Sequence, residues 1–286
     1  AKVDDVIAAT MRVLLHHPDF QALESVWRAV DFLVRRLDTG EAVQVVLVDA
    51  SRDEVVADLT SGTSLGKRLT SAGGVRLVVG AYTFGPDDAP LLTRLAGVGR
   101  SANAPWLVGG DPRLAGTPAF RGQADPDDWE LPVPAGWDAL RRSPDSSFLA
   151  LALPRFLLRL PFGARTDACS FPFEEMLPGA PDHESYLWGN AAVLCALAIG
   201  DSVVAGDAPA TQATLSDFPL HVVTIDGDPT ATPCTEALVT HGAVAHMVDR
   251  GLTPLAAPRD GDTILIQRIQ SVSSPARQLS IRTSAV

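Results

Sequence analysis

The sequence predicts an α/β protein whose central sheet, largely parallel or mixed, is flanked by helices. β-Branched apolar runs alternate with helical apolar patterns along the chain, as in proteins built from strand–helix units. The 286 residues suffice for a large core. A content of 46% hydrophobic and 20% charged residues is typical of soluble globular chains. We expect residues 1–286 to form a single domain.

The helices are predicted from apolar spacing and from signals at their ends. An amphipathic helix is expected from Pro18 to Leu37, with Trp27 as a core residue. Ser51 and Glu54 form a capping box, which predicts the start of a second helix. Further helices are predicted over residues 86–98, 186–199 and 235–250.

The strands are predicted from short apolar runs. The first, Ala42 to Val48, is almost continuously apolar, which is typical of a strand covered on both faces. A stretch at about 109–145 is rich in proline, glycine and aspartate, and predicts a long irregular excursion. The other predicted strands cover residues 75–81, 105–108, 148–153, 221–225 and 263–269.

Charge and hydropathy exclude several functional classes. The net charge of −11 repels phosphate backbones, so no nucleic-acid partner is expected. The longest uncharged apolar run, Ala191 to Gly200, is too short to span a bilayer, so no membrane insertion is expected. The N-terminal AKVDDV lacks the pattern of a signal peptide, which predicts a cytoplasmic protein. The three cysteines are widely spaced, so no disulfide framework is expected. The sequence contains no pair with metal-ligand spacing, so no metal site is expected.

One segment matches catalytic patterns only in part. Gly62 to Gly66 satisfies G-x-S-x-G, which makes Ser64 a candidate nucleophile, but a helix is predicted where the motif needs a preceding strand. The same segment is one residue short of a Walker A loop and has Arg68 at the magnesium-binding position. A serine hydrolase using Ser64 remains a remote alternative; we expect no enzymatic activity and no cofactor.

Three blocks of sequence carry a family resemblance. The first runs from Leu14 to Val34 and contains HHPDF. The second joins LPRFLLRLPFGART (153–166), FPFEE (171–175) and YLWGNAA (186–192), and a weaker third lies within residues 219–272. In this order they resemble the large sheath subunit of type VI secretion systems, the TssC/VipB family.

The resemblance implies a sheath-subunit-like fold and a structural role. Such a subunit assembles with a small sheath subunit of the TssB/VipA type and with copies of itself around an Hcp-like inner tube, forming a contractile sheath. The sequence shows no counterpart of the family's N-terminal extension or of its C-terminal region. A non-polymerising, sheath-derived adaptor or cap protein is therefore the alternative.

Two groups of residues are candidates for assembly or for structural roles. Within the matched blocks, the charged residues are expected either to fix a loop through ion pairs or to face a partner; they are Arg155, Arg159, Arg165, Glu174 and Glu175. In the tail, 278–286, apolar and polar residues alternate around Leu279, Ile281 and Thr283, which predicts a strand. The resemblance implies that sheath subunits are linked by strands donated between neighbours, and the alternation alone makes this tail a candidate for such a strand; a flexible unpaired terminus is the alternative.

Overall fold

The computed structural model describes residues 2–61, 66–67, 69, 77–123, 125–164, 166, 171–177, 183–225 and 228–282. The helices are α1 (Lys2–Leu15), α2 (Pro18–Arg36), α3 (Arg52–Ser61), α4 (Ala89–Ala102), α5 (Ala135–Arg142), α6 (Ala191–Val204) and α7 (His241–Asp249). The strands are β1 (Val78–Phe84), β2 (Trp106–Gly110), β3 (Leu149–Leu153), β4 (Phe156–Leu157), β5 (Trp188–Gly189), β6 (Ala213–Leu215), β7 (His221–Ile225), β8 (Asp228–Thr232), β9 (Thr253–Ala256) and β10 (Ile264–Ile266).

Six strands form a central sheet in the order β1-β2-β3-β9-β10-β6. The pairs from β1 through β9 are parallel, whereas β10 is antiparallel to both β9 and β6. Two further pairs, β4–β5 and β7–β8, form small antiparallel sheets. The predicted α/β architecture with a largely parallel, mixed sheet flanked by helices is confirmed.

The middle strands are buried on both faces, which explains their continuous apolar sequences. In β3 the odd-numbered residues, such as Leu151, join a core cluster that also contains side chains of α4, α5 and α7. The even-numbered Ala150 and Ala152 join a second cluster, dominated by α6. The sheet therefore lies between two helical layers, and Phe32 of α2 packs on the α6 side.

Local signals in the sequence set several helix starts. At α2, Nδ1 of His17 accepts a hydrogen bond from the Asp19 N–H at 3.3 Å. At α3, the predicted capping box is present: Glu54 Oε2 accepts from the Ser51 N–H at 2.7 Å, and Ser51 Oγ accepts from the Glu54 N–H at 3.2 Å. At α6, Asn190 Oδ1 accepts from the Ala192 N–H at 3.0 Å.

Two predicted helices are shorter in the structure because strands use their first residues. The helix predicted from 186 begins at Ala191, since Trp188 and Gly189 pair with β4. The helix predicted over 235–250 is limited to α7, because the chain before it bonds to the β4 region: the Leu157 N–H donates to the Cys234 carbonyl, and the Glu236 N–H donates to the Arg155 carbonyl.

Two other predictions differ from the structure, and one helix was not predicted. The prediction of a strand over 42–48 is wrong, because these residues form no strand and no strand of the described residues pairs with them. The stretch at 109–145 contains a regular element, α5, whose Trp137 and Leu140 are buried in the first core cluster. Helix α1 was not predicted, and its Ala8 and Leu15 pack near Phe173 in a small third cluster.

Candidate functional site

The charged residues singled out by the sequence fall into separate ion-pair groups. Arg159, which is 8% exposed, lies between two carboxylates. Its Nε and Nη2 donate to Oε1 and Oε2 of Glu24 at 2.8 and 3.2 Å. Its Nη1 and Nη2 donate to Oε2 and Oε1 of Glu175 at 2.7 and 3.2 Å. The guanidinium therefore connects α2 to the loop that follows β4.

The neighbours of Arg159 complete a balanced cluster. Glu24 also accepts a hydrogen bond from Arg28 Nε at 2.6 Å. Burial raises the pKa of Glu24, but the hydrogen bonds and charges of Arg159 and Arg28 outweigh it and lower that pKa. Glu175 accepts a further bond from the Phe162 N–H at 2.7 Å. His16 Nε2 also lies 3.5 Å from Glu175 Oε1. All four carboxylate oxygens of Glu24 and Glu175 are engaged in these contacts, so this cluster suits a structural role.

Arg155 pairs with two carboxylates that the sequence analysis did not single out. Its Nε donates to Glu236 Oε2 at 2.6 Å, and its Nη2 donates to Glu184 Oε1 at 3.1 Å. A hydrogen bond from His183 and the charge of Arg155 outweigh burial and lower the pKa of Glu184 to about 2. Both partners are far from Arg155 in the sequence, and no local spacing signals them.

The other candidate residues are placed differently. Glu174 Oε1 accepts from the Ala164 N–H at 3.0 Å, and the Glu174 carbonyl accepts from Arg12 Nε at 2.8 Å, which links this loop to α1. Arg165 and the candidate nucleophile Ser64 lie outside the described residues. The structure thus brings Arg159 and Glu175 together and separates Arg155 from them.

The described part of the tail packs against its own chain. Leu279 is buried in the α6 core cluster, and Ile281 packs partly against the same cluster. The Ser280 N–H donates to the Ser147 carbonyl at 2.9 Å. Residues 279–282 form no strand, and Thr283 lies outside the described residues.

An exposed apolar surface is concentrated at the start of the chain. Twelve of the seventeen large hydrophobic residues exposed in the described part lie within the first 48 residues. On α2 an apolar row with the spacing 4-3-4 contains the exposed Leu23, Trp27 and Val34 and the half-buried Val30. Trp27, predicted to be a core residue, is 61% exposed. This spacing is that of a helix that packs along a second helix, and it is the signal that could have revealed the surface.

Helix α1 extends the same surface. Its inner side carries Ala8 and Leu15, but its opposite side also carries apolar residues that are 43–73% exposed: Val3, Val6, Ile7, Val13 and Leu14. A helix that is apolar on two opposite sides is typical of one that is buried on both. We refer to the exposed apolar side chains of α1 and α2 as the N-terminal surface.

The described residues contain neither a membrane-spanning helix nor a metal-binding cluster. No helix within the described ranges is long and apolar enough to cross a lipid bilayer. Across those same ranges, no three His, Cys, Asp or Glu side chains are grouped so that they could hold a metal ion.

Comparison with known proteins identifies the family. Residues 1–273 match the VipB family model, described as EvpB/VC_A0108, tail sheath N-terminal domain. The chain is 31% identical over 306 aligned positions to the type VI secretion system sheath protein TssC1 of Pseudomonas aeruginosa strain PAO1. That match covers 96% of this chain and 61% of the relative, so the chain spans about three-fifths of the relative's length. The chain therefore belongs to the TssC/VipB family of type VI secretion sheath proteins.

Proposed function

We propose that this chain is a structural subunit of a type VI secretion contractile sheath. In this proposal it assembles in the cytoplasm with a small sheath subunit and with copies of itself around an Hcp-like inner tube, and it has no catalytic role. Family membership supports the sheath role. The N-terminal surface is the structural observation that supports assembly with a partner.

The N-terminal surface has the properties of an interface for a helix. Isolated exposed apolar residues are common on proteins, whereas a contiguous apolar set marks an interaction site. The row on α2 includes Trp27, and tryptophan is enriched among the residues that contribute most to binding. We assign this row to an apolar helix of the small sheath subunit.

The ion pairs of Arg159 have a supporting role in this proposal. Because they fix α2 to the loop after β4, they hold the N-terminal surface in one orientation before a partner binds. A preorganised surface loses less conformational entropy on association. Arg159, Glu24 and Glu175 are therefore proposed to position the interface, without contacting the partner.

The test is binding by matched leucine variants. Leu23 on α2 is 58% exposed, and Leu177 in the loop after β4 is 62% exposed. With a small sheath subunit of the TssB/VipA type as the partner, Leu23→Ser is expected to weaken binding about tenfold or more, since an interface leucine loses its apolar burial. Leu177→Ser is expected to bind as the unaltered chain does. Equal binding by both variants would contradict the proposal.

A further inference from the structure

The segment between α2 and α3 exposes apolar side chains in a row. Val46, Leu47 and Val48 are 79%, 59% and 55% exposed. In a strand, consecutive side chains point to opposite faces, so an apolar run like this one suits a strand covered on both faces. No element of the described residues covers these three side chains. These side chains are therefore accessible to a partner.

The backbone of the same segment is also unpaired. Among the described residues, the N–H and C=O groups of residues 44–49 form no hydrogen bond with any other segment. The sequence Gln-Val-Val-Leu-Val has a high β propensity because it is rich in β-branched residues. An unpaired β-prone segment is a template on which a strand of another chain can add.

Both ends of the segment are anchored to the core. At the start, Leu37 is 5% exposed and lies against Gly200 of α6. At the end, Tyr82 Oη of β1 donates to the Ala50 carbonyl at 2.5 Å. Because the anchors limit its conformational freedom, the segment loses less entropy when it becomes ordered on a partner.

The charges around the segment favour a partner that differs from this chain. Asp38, Glu41 and Asp49 are exposed, and no lysine or arginine occurs between Leu37 and Arg52. The whole chain has a net charge of −11. Pairing between two copies of the segment would bring carboxylates together, and facing like charges destabilise strand pairs. A strand flanked by basic side chains meets no such repulsion.

We propose that residues 44–49 pair as a β-strand with an exposed sheet edge of the small sheath subunit, and that basic side chains flank that edge. The choice of partner rests on the proposed function, because the segment directly follows α2 and its apolar row. The partner's sheet supplies backbone hydrogen bonds to the segment, and the layers on either side of that sheet cover Val46, Leu47 and Val48.

Amide hydrogen exchange tests the pairing residue by residue. In the isolated chain, the amides of residues 44–49 are expected to exchange at close to unprotected rates. In the complex with the small sheath subunit, several of them are expected to slow about 100-fold or more, as in paired strands. Every second amide, the set that points towards the partner strand, is expected to show the largest decrease in exchange rate.

Two variants separate backbone pairing from side-chain packing. Val46→Pro combined with Leu47→Pro removes two consecutive donors, one of which points into the paired edge in either register. The isolated chain uses neither donor, so its melting temperature is expected to stay unchanged while binding to the small subunit falls about tenfold or more. Val46→Thr keeps the donor and the β-branched shape, and is expected to bind within about fivefold of the unaltered chain.

Each other outcome overturns the inference in a recognisable way. If the small subunit binds and the amides of 44–49 still exchange freely, the strand pairing is wrong while the proposed function stands. If those amides become protected in the chain alone as its concentration rises, a second copy is the partner. If the small subunit does not bind at all, the proposed function fails, and the inference fails with it.

Discussion

Arg159 and Glu24 lie 135 residues apart in the sequence, yet their side chains meet in a two-point ion pair with N–O distances of 2.8 and 3.2 Å. The same guanidinium binds Glu175, whose side chain is 1% exposed. One arginine therefore holds together α2, which carries part of the N-terminal surface, and the loop that follows β4.

Removal of Arg159 is expected to be strongly destabilising. Arg159→Ala leaves the buried Glu175 without its cation, and breaking a buried pair from one side costs about 3–5 kcal/mol. Denaturation by urea, followed by tryptophan fluorescence, measures the loss. Adding Glu175→Gln to Arg159→Ala is expected to restore part of the stability, because the stranded charge is removed. A double variant less stable than the single one would contradict this account.

The ion pair of Arg155 is expected to contribute less. Its side chain is 39% exposed and that of Glu184 is 66% exposed, so solvent screens part of that attraction. Its other partner, Glu236, is 9% exposed and would lose its cation. Arg155→Ala is therefore expected to cost about 2 kcal/mol in the same urea measurement, between the values for exposed and buried pairs. A loss of stability as large as that of Arg159→Ala would show that solvent exposure does not determine how much each of these two clusters contributes to stability.

Acid is expected to weaken the fold partly through Glu184. Its pKa is lowered from an ordinary 4.5 to about 2, so its stabilising effect is fully present above pH 4.5 and is lost as the pH falls towards 2. Glu184→Gln is expected to be less stable at pH 7 by about 0.5–1 kcal/mol, since the group is largely exposed. The difference from the unaltered chain should vanish near pH 2. Glu130→Gln is the control, because Glu130 is exposed and forms no ion pair among the described residues. A loss of stability in Glu184→Gln that does not change with pH would contradict the account.

Leu279 is expected to stabilise the isolated chain through its packing in the α6 core cluster. Leu279→Ala is expected to lower the free energy of unfolding by about 2–3 kcal/mol, the lower part of the range for buried leucines. If the variant is as stable as the unaltered chain, residues 279–282 do not pack as described, and strand donation by the tail regains support.

Trp27 is expected to matter for association and hardly for stability. Because its side chain is 61% exposed, Trp27→Ser is expected to change the free energy of unfolding by less than about 0.5 kcal/mol. The same change is expected to weaken binding to the small subunit by about 2 kcal/mol, roughly 30-fold, as for an interface tryptophan. Unfolding and binding titrations on one preparation separate the two effects. A large loss of stability would contradict the assignment of Trp27 to an interface.

The central sheet was predictable because its signals are local. The apolar runs around Leu107 and Leu151 are strands buried on both faces, and only a core between two layers demands such runs. The cap at His17 and the capping box at Ser51 were equally predictable, since their partners lie within three residues.

The prediction failed where the partner of a residue is distant in the sequence and where an apolar side chain is exposed in the folded chain. Glu236 could not be matched to Arg155 from spacing, because 81 residues separate them. Trp27 was predicted to be a core residue of a helix, and Val46 was predicted to lie in a buried strand. Both side chains are exposed, because an apolar pattern in the sequence does not show what covers the apolar side chains. These two errors fall on the surfaces now proposed as interfaces.

Electron microscopy of assembled material tests the central claim most directly. This chain is produced together with a small sheath subunit of the TssB/VipA type, purified through a tag on one of the two, and viewed by negative stain. The account predicts hollow helical tubes that contain both proteins, and their loss with Leu23→Ser but not with Leu177→Ser. A soluble complex that never forms tubes would contradict a sheath subunit and favour a non-polymerising adaptor or cap.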